Sequence, residues 1–147
     1  MSATPDASAA PAPSRPLPSV GDAATLTRVV TDADIAHFAD ATGDRNPVHF
    51  DDAYAAGTRF GGRIAHGMLT AGLVSAAIAN ELPGAGSVYR SQSLRFRRPV
   101  RPGDAVTVRV EVLDVNAGSR RVRLATACTN QDGDVVLDGE AEVVVLE

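Results

Sequence analysis

From Gly67 to Leu82 the chain carries almost no polar side chain: Met68, Leu69, Ala71, Leu73, Val74, Ala76, Ala77, Ile78 and Ala79 cover nearly every direction of a helix. A helix at a protein surface keeps a polar face for water, so this one is predicted to be buried all round. It is too short to cross a bilayer, which takes about 20 apolar residues. About 15 helical residues extend roughly 22 Å, a length that one curved sheet can wrap. Gly72, Ala76 and the other small side chains would let strands come close.

The sequence supplies such a sheet. Val88 to Phe96, Val106 to Val112, Val122 to Cys128 and Val135 to Val145 alternate apolar with polar or charged residues, the pattern of antiparallel strands covered on one face. Turns separate them at Pro99 to Asp104, at Asn116 to Ser119 and at Asn130 to Asp134, which contains the hairpin signal Asp132-Gly133. Ala23 to Val30, rich in Thr and Val, suits a first strand. Thr31 then caps a helix whose first turn holds Asp32 and Asp34, whose apolar face is Ile35, Phe38 and Ala39, and which should end near Gly43. Asp51 to Ala56, closed by Gly57, suits one more helical turn. There is no internal repeat. The fold class is α+β, a long antiparallel sheet around one central helix.

With 147 residues, 44% of them hydrophobic, the chain fits a single domain that needs no staples. The first eighteen residues, dominated by Ala, Pro and Ser, cannot bury enough surface to fold and are expected to form a disordered tail, which leaves 19–147 as the domain. That tail has neither a basic start with an apolar stretch nor a long apolar span, so a cytoplasmic location without membrane attachment is expected. A net charge of -4 argues against general nucleic-acid affinity. The one cysteine, Cys128, excludes an internal disulfide and is expected to be a small buried hydrophobe, and no Cys/His spacing suits a structural zinc site. All cationic side chains are arginines, several of them between Arg90 and Arg121. They form either a solvated strand face or a site for phosphate groups, which guanidinium grips in bidentate geometry.

The stretch Gly43-Asp-Arg-Asn-Pro-Val-His49 brings a carboxylate, Asp44, close to an imidazole, His49, while forbidding regular structure between them. On a continuous helix two residues five apart diverge by about 140°. Pro47 removes a backbone donor and pushes Asn46 out of the α region, so the chain turns, and a turn can aim both side chains at one point. Asn46 suits that turn because its short amide bonds nearby backbone. The plainer alternative is a surface loop in which Asp44 and Asn46 cap helices and His49 is solvated.

Three segments resemble one family in the expected order. Phe38-Ala-Asp-Ala-Thr-Gly-Asp-Arg-Asn-Pro-Val-His49, with Ala55 six residues on, looks like the hydratase-2 motif of MaoC-like (R)-specific enoyl-CoA hydratases, which have the hot-dog fold. Ala65-His-Gly-Met-Leu69 and Ser91-Gln-Ser-Leu-Arg-Phe-Arg-Arg-Pro-Val100 resemble two further family segments, and the resemblance runs from Val20 to Glu147. Ala41 departs from the pattern, where a larger aliphatic or a glycine is more usual, and only a packing change is expected from it.

The resemblance implies reversible syn addition of water to a trans-2-enoyl-CoA, giving an (R)-3-hydroxyacyl product. Asp44 acts as base in hydration, with Asp44 and His49 together holding the water. Asn46 and Pro47 orient the loop. The Gly67 amide, at the start of the buried helix, bonds the thioester carbonyl as an oxyanion hole, and Ser75 and Ile78 line the acyl pocket. Arg95, Arg97, Arg98 and Arg101 are candidates for the coenzyme A phosphates. His66 is expected to be structural, Tyr54 and Phe60 to belong either to the pocket wall or to the core, with the core favoured, and His37 to be a surface residue. No metal and no organic cofactor is implied, coenzyme A entering with the substrate. A homodimer or larger homo-oligomer is expected, because strand edges are usually covered.

The runner-up is a dehydratase of 3-hydroxyacyl groups on an acyl carrier protein. A hot-dog thioesterase is disfavoured because Gly67 to Asn80 contains no carboxylate. A non-catalytic acyl-CoA-binding module would need no acid–imidazole pair.

Overall fold

The computed structural model describes residues 15–147. Six strands form one antiparallel sheet: β1 (Ala23–Val29), β2 (Ser87–Gln92), β3 (Arg95–Phe96), β4 (Ala105–Asn116), β5 (Arg121–Thr129) and β6 (Val135–Val145). Their spatial order is β1-β4-β5-β6-β2, with the short β3 also paired to β6. Three α-helices accompany them, α1 (Asp32–Thr42), α2 (Asp52–Ala56) and α3 (Gly67–Asn80). The sheet curls around α3, which packs on β4, β5, β1 and β2.

Alternation in the sequence sets the core. Val106, Val108, Val110 and Val112 of β4 and Val122, Leu124 and Cys128 of β5 are buried, and so are Ala141, Val143 and Val145 of β6. They meet Leu73, Val74, Ala77 and Ile78 of α3 in one cluster. Fully burying each aliphatic side chain of this size contributes about 1.5–3 kcal/mol, so the sheet and helix stabilise each other. Cys128 is buried as expected, and its thiol is pushed up to about 12 by desolvation, which leaves it unreactive.

Four features differ from the sequence reading. The strand expected from Val88 to Phe96 is broken at Ser93 and Leu94, both halves pairing with β6. The helix α3 is not covered all round by its own chain: Met68, Gly72, Ser75 and Ala79, spaced four, three and four residues, form an exposed stripe. Tyr54 is 53% exposed on the short α2, not part of the core. A β-bulge separates Cys128↔Leu137 from Thr129↔Val135, so Val136 is an extra residue on β6 and both Val136 and Leu137 are buried.

Of the segment assigned to the tail, residues 1–14 lie outside the described residues. Leu17 packs against the core and the Arg120 guanidinium donates to the Arg15 carbonyl, so the packed chain begins earlier than residue 19. Among the described residues no helix is long and apolar enough to cross a membrane.

Candidate active site

Local sequence folds the Asp44–His49 loop step by step. Thr31 and Asp34 form a capping box that starts α1, and Ile35 and Ala39 bury its inner face. The helix stops at Gly43, which takes φ +79° and donates its amide to the Ala39 carbonyl; a side chain is strained there, and glycine is not. The chain then reverses. The Asp44 carboxylate accepts from the Asn46 amide at 3.3 Å, and Asn46 Oδ1 accepts from the Val48 amide at 3.3 Å. Pro47 opens a single 3-10 turn, Pro47–His49, where its missing N–H costs nothing.

This turn drives His49 inward, where it is 7% exposed. Its Nδ1–H donates to the Ile64 carbonyl at 2.8 Å, which leaves Nε2 with the free lone pair. Burial holds the imidazole below its ordinary value of 6.5, the Ile64 bond opposes that shift, and the neighbouring His66 adds to it while Asp44 opposes it. His49 is therefore neutral near pH 7. Asp44 is half exposed, and one of its oxygens, a ring nitrogen of His49 and a ring nitrogen of His66 all lie within 4.8 Å of one another.

His66 lies directly behind the pair. It is 2% exposed, its Nε2–H donates to the Asp44 carbonyl at 3.0 Å, and its ring stacks on that of His49 with centroids 3.8 Å apart. Phe38 and Phe50 flank the same ring at 4.6 and 5.9 Å. The sequence reading gave His66 a structural part, and its burial agrees with that.

Gly67 begins α3, and no hydrogen bond from its amide is found among the described residues. The positive end of the helix dipole adds to that orphan donor. A Cβ on Gly67 would meet Phe96 Cε1 at 2.7 Å, so the bare backbone is what lets the Phe96 ring lie against it. A cavity of about 400 Å³ joins these groups, with Asp44, His49, Gly67, Thr70, Phe96 and Leu137 among its lining.

The other expected residues are distributed differently. Ile78 belongs to the core and Ser75 to the exposed stripe of α3, so within one chain neither lines the cavity, in contrast to the expectation. Arg97 and Arg98 line it, Arg97 also pairing with Asp138 at 3.2 Å. Arg95 is exposed away from the cavity lining. Arg101 is committed elsewhere: its guanidinium donates to the carbonyls of Phe60 and Gly62, which leaves little of it for a phosphate. Phe60 lines the cavity and is only half buried, and His37 is exposed as expected.

Sequence reasoning missed Arg59, Phe96, Thr70 and Val136 as cavity residues. Arg59 stacks on Phe60, with its guanidinium carbon 4.9 Å from the ring centre, and an Arg-Phe pair in a Gly-rich loop carries no spacing signal. Val136 is brought to the wall by the bulge, and its carbonyl accepts from the amides of both Arg97 and Arg98 at 2.9 and 3.3 Å.

Asp44, His49 and His66 offer a set of potential metal ligands. Metals bind imidazole in the ring plane, whereas these two rings are stacked with planes 34° apart and each commits one nitrogen to a carbonyl. That arrangement suits a proton-handling pair better than a shared cation.

Comparison with known proteins identifies the family to which this fold and sequence belong. The family described as MaoC like domain matches residues 19–132. A 3-hydroxybutyryl-CoA dehydratase of Methylorubrum extorquens is 52% identical, over 86% of this chain and 80% of its own. An (R)-specific enoyl-CoA hydratase of Rhodospirillum rubrum is 45% identical, over 85% of this chain and 86% of its own. Among solved structures, an unliganded (R)-hydratase from Pseudomonas aeruginosa superposes with a TM-score of 0.82 at 52% identity, covering 88% of this chain and 83% of that one. The hot-dog architecture and the acid–imidazole loop thus have the same explanation: this chain belongs to the MaoC-like domain family.

Proposed function

We propose that the protein is an (R)-specific enoyl-CoA hydratase, equally a 3-hydroxyacyl-CoA dehydratase in reverse. One observation carries the reading: a carboxylate oxygen of Asp44 and a ring nitrogen of His49 lie within 4.8 Å of each other in a cavity that Gly67 also lines. A water spanning the carboxylate and His49 Nε2 attacks C3 of a trans-2-enoyl thioester. Asp44 takes one proton of that water, the C2=C3 pair moves toward the thioester carbonyl, and the charge gathers on its oxygen. The Gly67 N–H and the α3 dipole stabilise that oxygen. A proton held by the pair then goes to C2 from the same side, so water adds in the syn sense. The neutral state of His49 matters because an imidazolium could not accept a hydrogen bond from the water.

Arg98 and Arg59 at the cavity wall are suited to the phosphates of coenzyme A, and the water addition drawn here calls for neither a metal nor an organic cofactor. The active species is a homodimer, supported by the exposed stripe of α3 and by the edge strand β2, where Val88 and Tyr89 are 48% and 37% exposed.

The test is direct. The protein should consume crotonyl-CoA, release (R)-3-hydroxybutyryl-CoA, act more slowly on the same acyl group carried by acyl carrier protein, and keep its rate in a metal chelator. Absence of turnover on either carrier would remove the reading, and a preference for the carrier protein would reassign the substrate.

A further inference from the structure

His66 sits where stability alone would favour a different residue. Its ring is enclosed by Phe38, Phe50 and the His49 ring, and its Nδ1 is buried with no hydrogen-bond partner. A buried acceptor without a partner is a net cost that a phenylalanine in the same sandwich avoids. What an imidazole adds here is its other nitrogen, bonded to the Asp44 carbonyl at 3.0 Å, while the same ring covers the His49 ring at 3.8 Å. No other described side chain touches both members of the pair in this way. Asp44 has few other fixtures: its amide donates to Thr42 Oγ1 at 3.2 Å, its carboxylate accepts from the Asn46 amide at 3.3 Å, and its side chain is half exposed.

We propose that His66 is a positioning residue, one imidazole that braces Asp44 through its carbonyl and His49 through its ring, and so holds the two at the separation their shared water requires. The proposal rests on the reading of Asp44 and His49 as the reacting pair. His66 touches neither substrate nor the reacting atoms; it acts through the two residues that do. A displacement of about 1 Å at a reacting group can cost on the order of 10²-fold in rate, and loss of the Nε2 bond leaves the Asp44 carbonyl without its side-chain donor.

Two substitutions separate the two braces. His66→Phe keeps a ring for His49 and removes the donor to Asp44. His66→Gln places an amide nitrogen near the position of Nε2 and removes the ring. The expected result is that His66→Phe melts no lower than the wild type, lowers kcat by about 10²-fold and changes KM little. His66→Gln should recover part of that kcat.

The second readout is independent of any substrate: the titration of the His49 ring, followed by NMR in the free protein. The charged and titratable groups around His49 are Asp44, His66, Arg63, whose guanidinium lies 3.4 Å from the His49 carbonyl, and Arg59, Arg97 and Arg98 on the cavity wall. Desolvation is the leading cause that holds His49 down, with His66 opposing its protonation and Asp44 favouring it, so a His66→Phe variant that releases Asp44 should move the midpoint away from the wild-type value. Wild-type kcat with an unmoved His49 midpoint in His66→Phe would overturn the proposal. A loss of activity matched by a loss of melting temperature in both variants would overturn it as well, reducing His66 to a packing residue. If the wild type itself turns over no enoyl thioester, the reacting-pair reading fails, and the His49 midpoint still reports whether His66 controls that ring.

Discussion

His49 and Ile64 are joined by a 2.8 Å hydrogen bond from the imidazole Nδ1–H to the backbone carbonyl. That bond fixes the tautomer, since a ring that donates from Nδ1 presents Nε2 as an acceptor. It also ties the loop after α1 to the segment before α3, where Ile64 returns its amide to the Val48 carbonyl at 3.3 Å. The two contacts form a small clasp, which the Arg63 bond to the His49 carbonyl and the His66 bond to the Asp44 carbonyl extend on either side.

The pH behaviour follows from the burial of His49. Its folded value lies below 6.5, the unfolded value, so the unfolded chain takes up a proton first as the pH falls. The stability His49 contributes is complete above about pH 6.5 and is lost as the pH drops toward the folded value. Melting temperature should fall across that window in the wild type and fall less in His49→Gln. The acid limb of kcat/KM should have its midpoint below 6.5, because activity needs the neutral ring. A midpoint above 6.5 would contradict the role given to desolvation.

Gly67→Ala leaves the backbone N–H in place, so any loss must come from the added methyl. That methyl would meet the Phe96 ring at 2.7 Å, so the half-exposed ring must shift along the cavity wall to make room for it. We expect kcat to drop roughly 10- to 100-fold, and Gly67→Ala/Phe96→Ala to regain part of it. If the double variant is no better than the single one, Phe96 is not the obstacle.

Arg98 and Arg101, three residues apart, have separate duties. Arg101→Gln breaks bonds to the Phe60 and Gly62 carbonyls and should destabilise the fold by about 2 kcal/mol, with a lower melting temperature. Arg98→Gln should leave melting unchanged and raise KM for the coenzyme A substrate by about 1.5- to 5-fold, an effect that shrinks at high salt. Arg59→Gln should behave like Arg98→Gln. Equal melting temperatures for the Arg101 and Arg98 variants would show that Arg101 is not a brace.

The stripe of Met68, Gly72, Ser75 and Ala79 on α3 predicts association. The native protein should sediment as a dimer, and Gly72→Arg, which sets a charge in the middle of the stripe, should yield monomers. A native monomer at micromolar concentration would contradict the expected assembly.

Much of this was legible in the residues, and the exceptions share a cause. β6 coincides with the expected Val135 to Val145, and α1 has the expected cap at Thr31 and stop at Gly43, because alternation, capping and glycine act locally. The meeting of Asp44 and His49 could be read from Pro47 for the same reason. The break at Ser93, the bulge at Val136 and the exposure of Ser75 could not, since each is decided by partners distant in sequence. Apolarity marked α3 as a helix to be covered, but could not tell coverage by its own sheet from coverage by another chain. The arginines were the least legible. Which of Arg95, Arg97, Arg98 and Arg101 faces the cavity depends on carbonyls at Phe60, Gly62 and Val136 and on the Asp138 carboxylate, and no spacing rule connects those residues.

The most direct measurement is the rate at which Asp44→Asn removes the enoyl-thioester absorbance of crotonyl-CoA, taken beside its affinity for the same ligand. The asparagine keeps the size of the side chain and its acceptor for the Asn46 amide, but cannot take a proton from water. A fall of about 10² to 10⁴-fold in kcat with binding nearly intact is the predicted result. Turnover equal to that of the wild type would contradict the account.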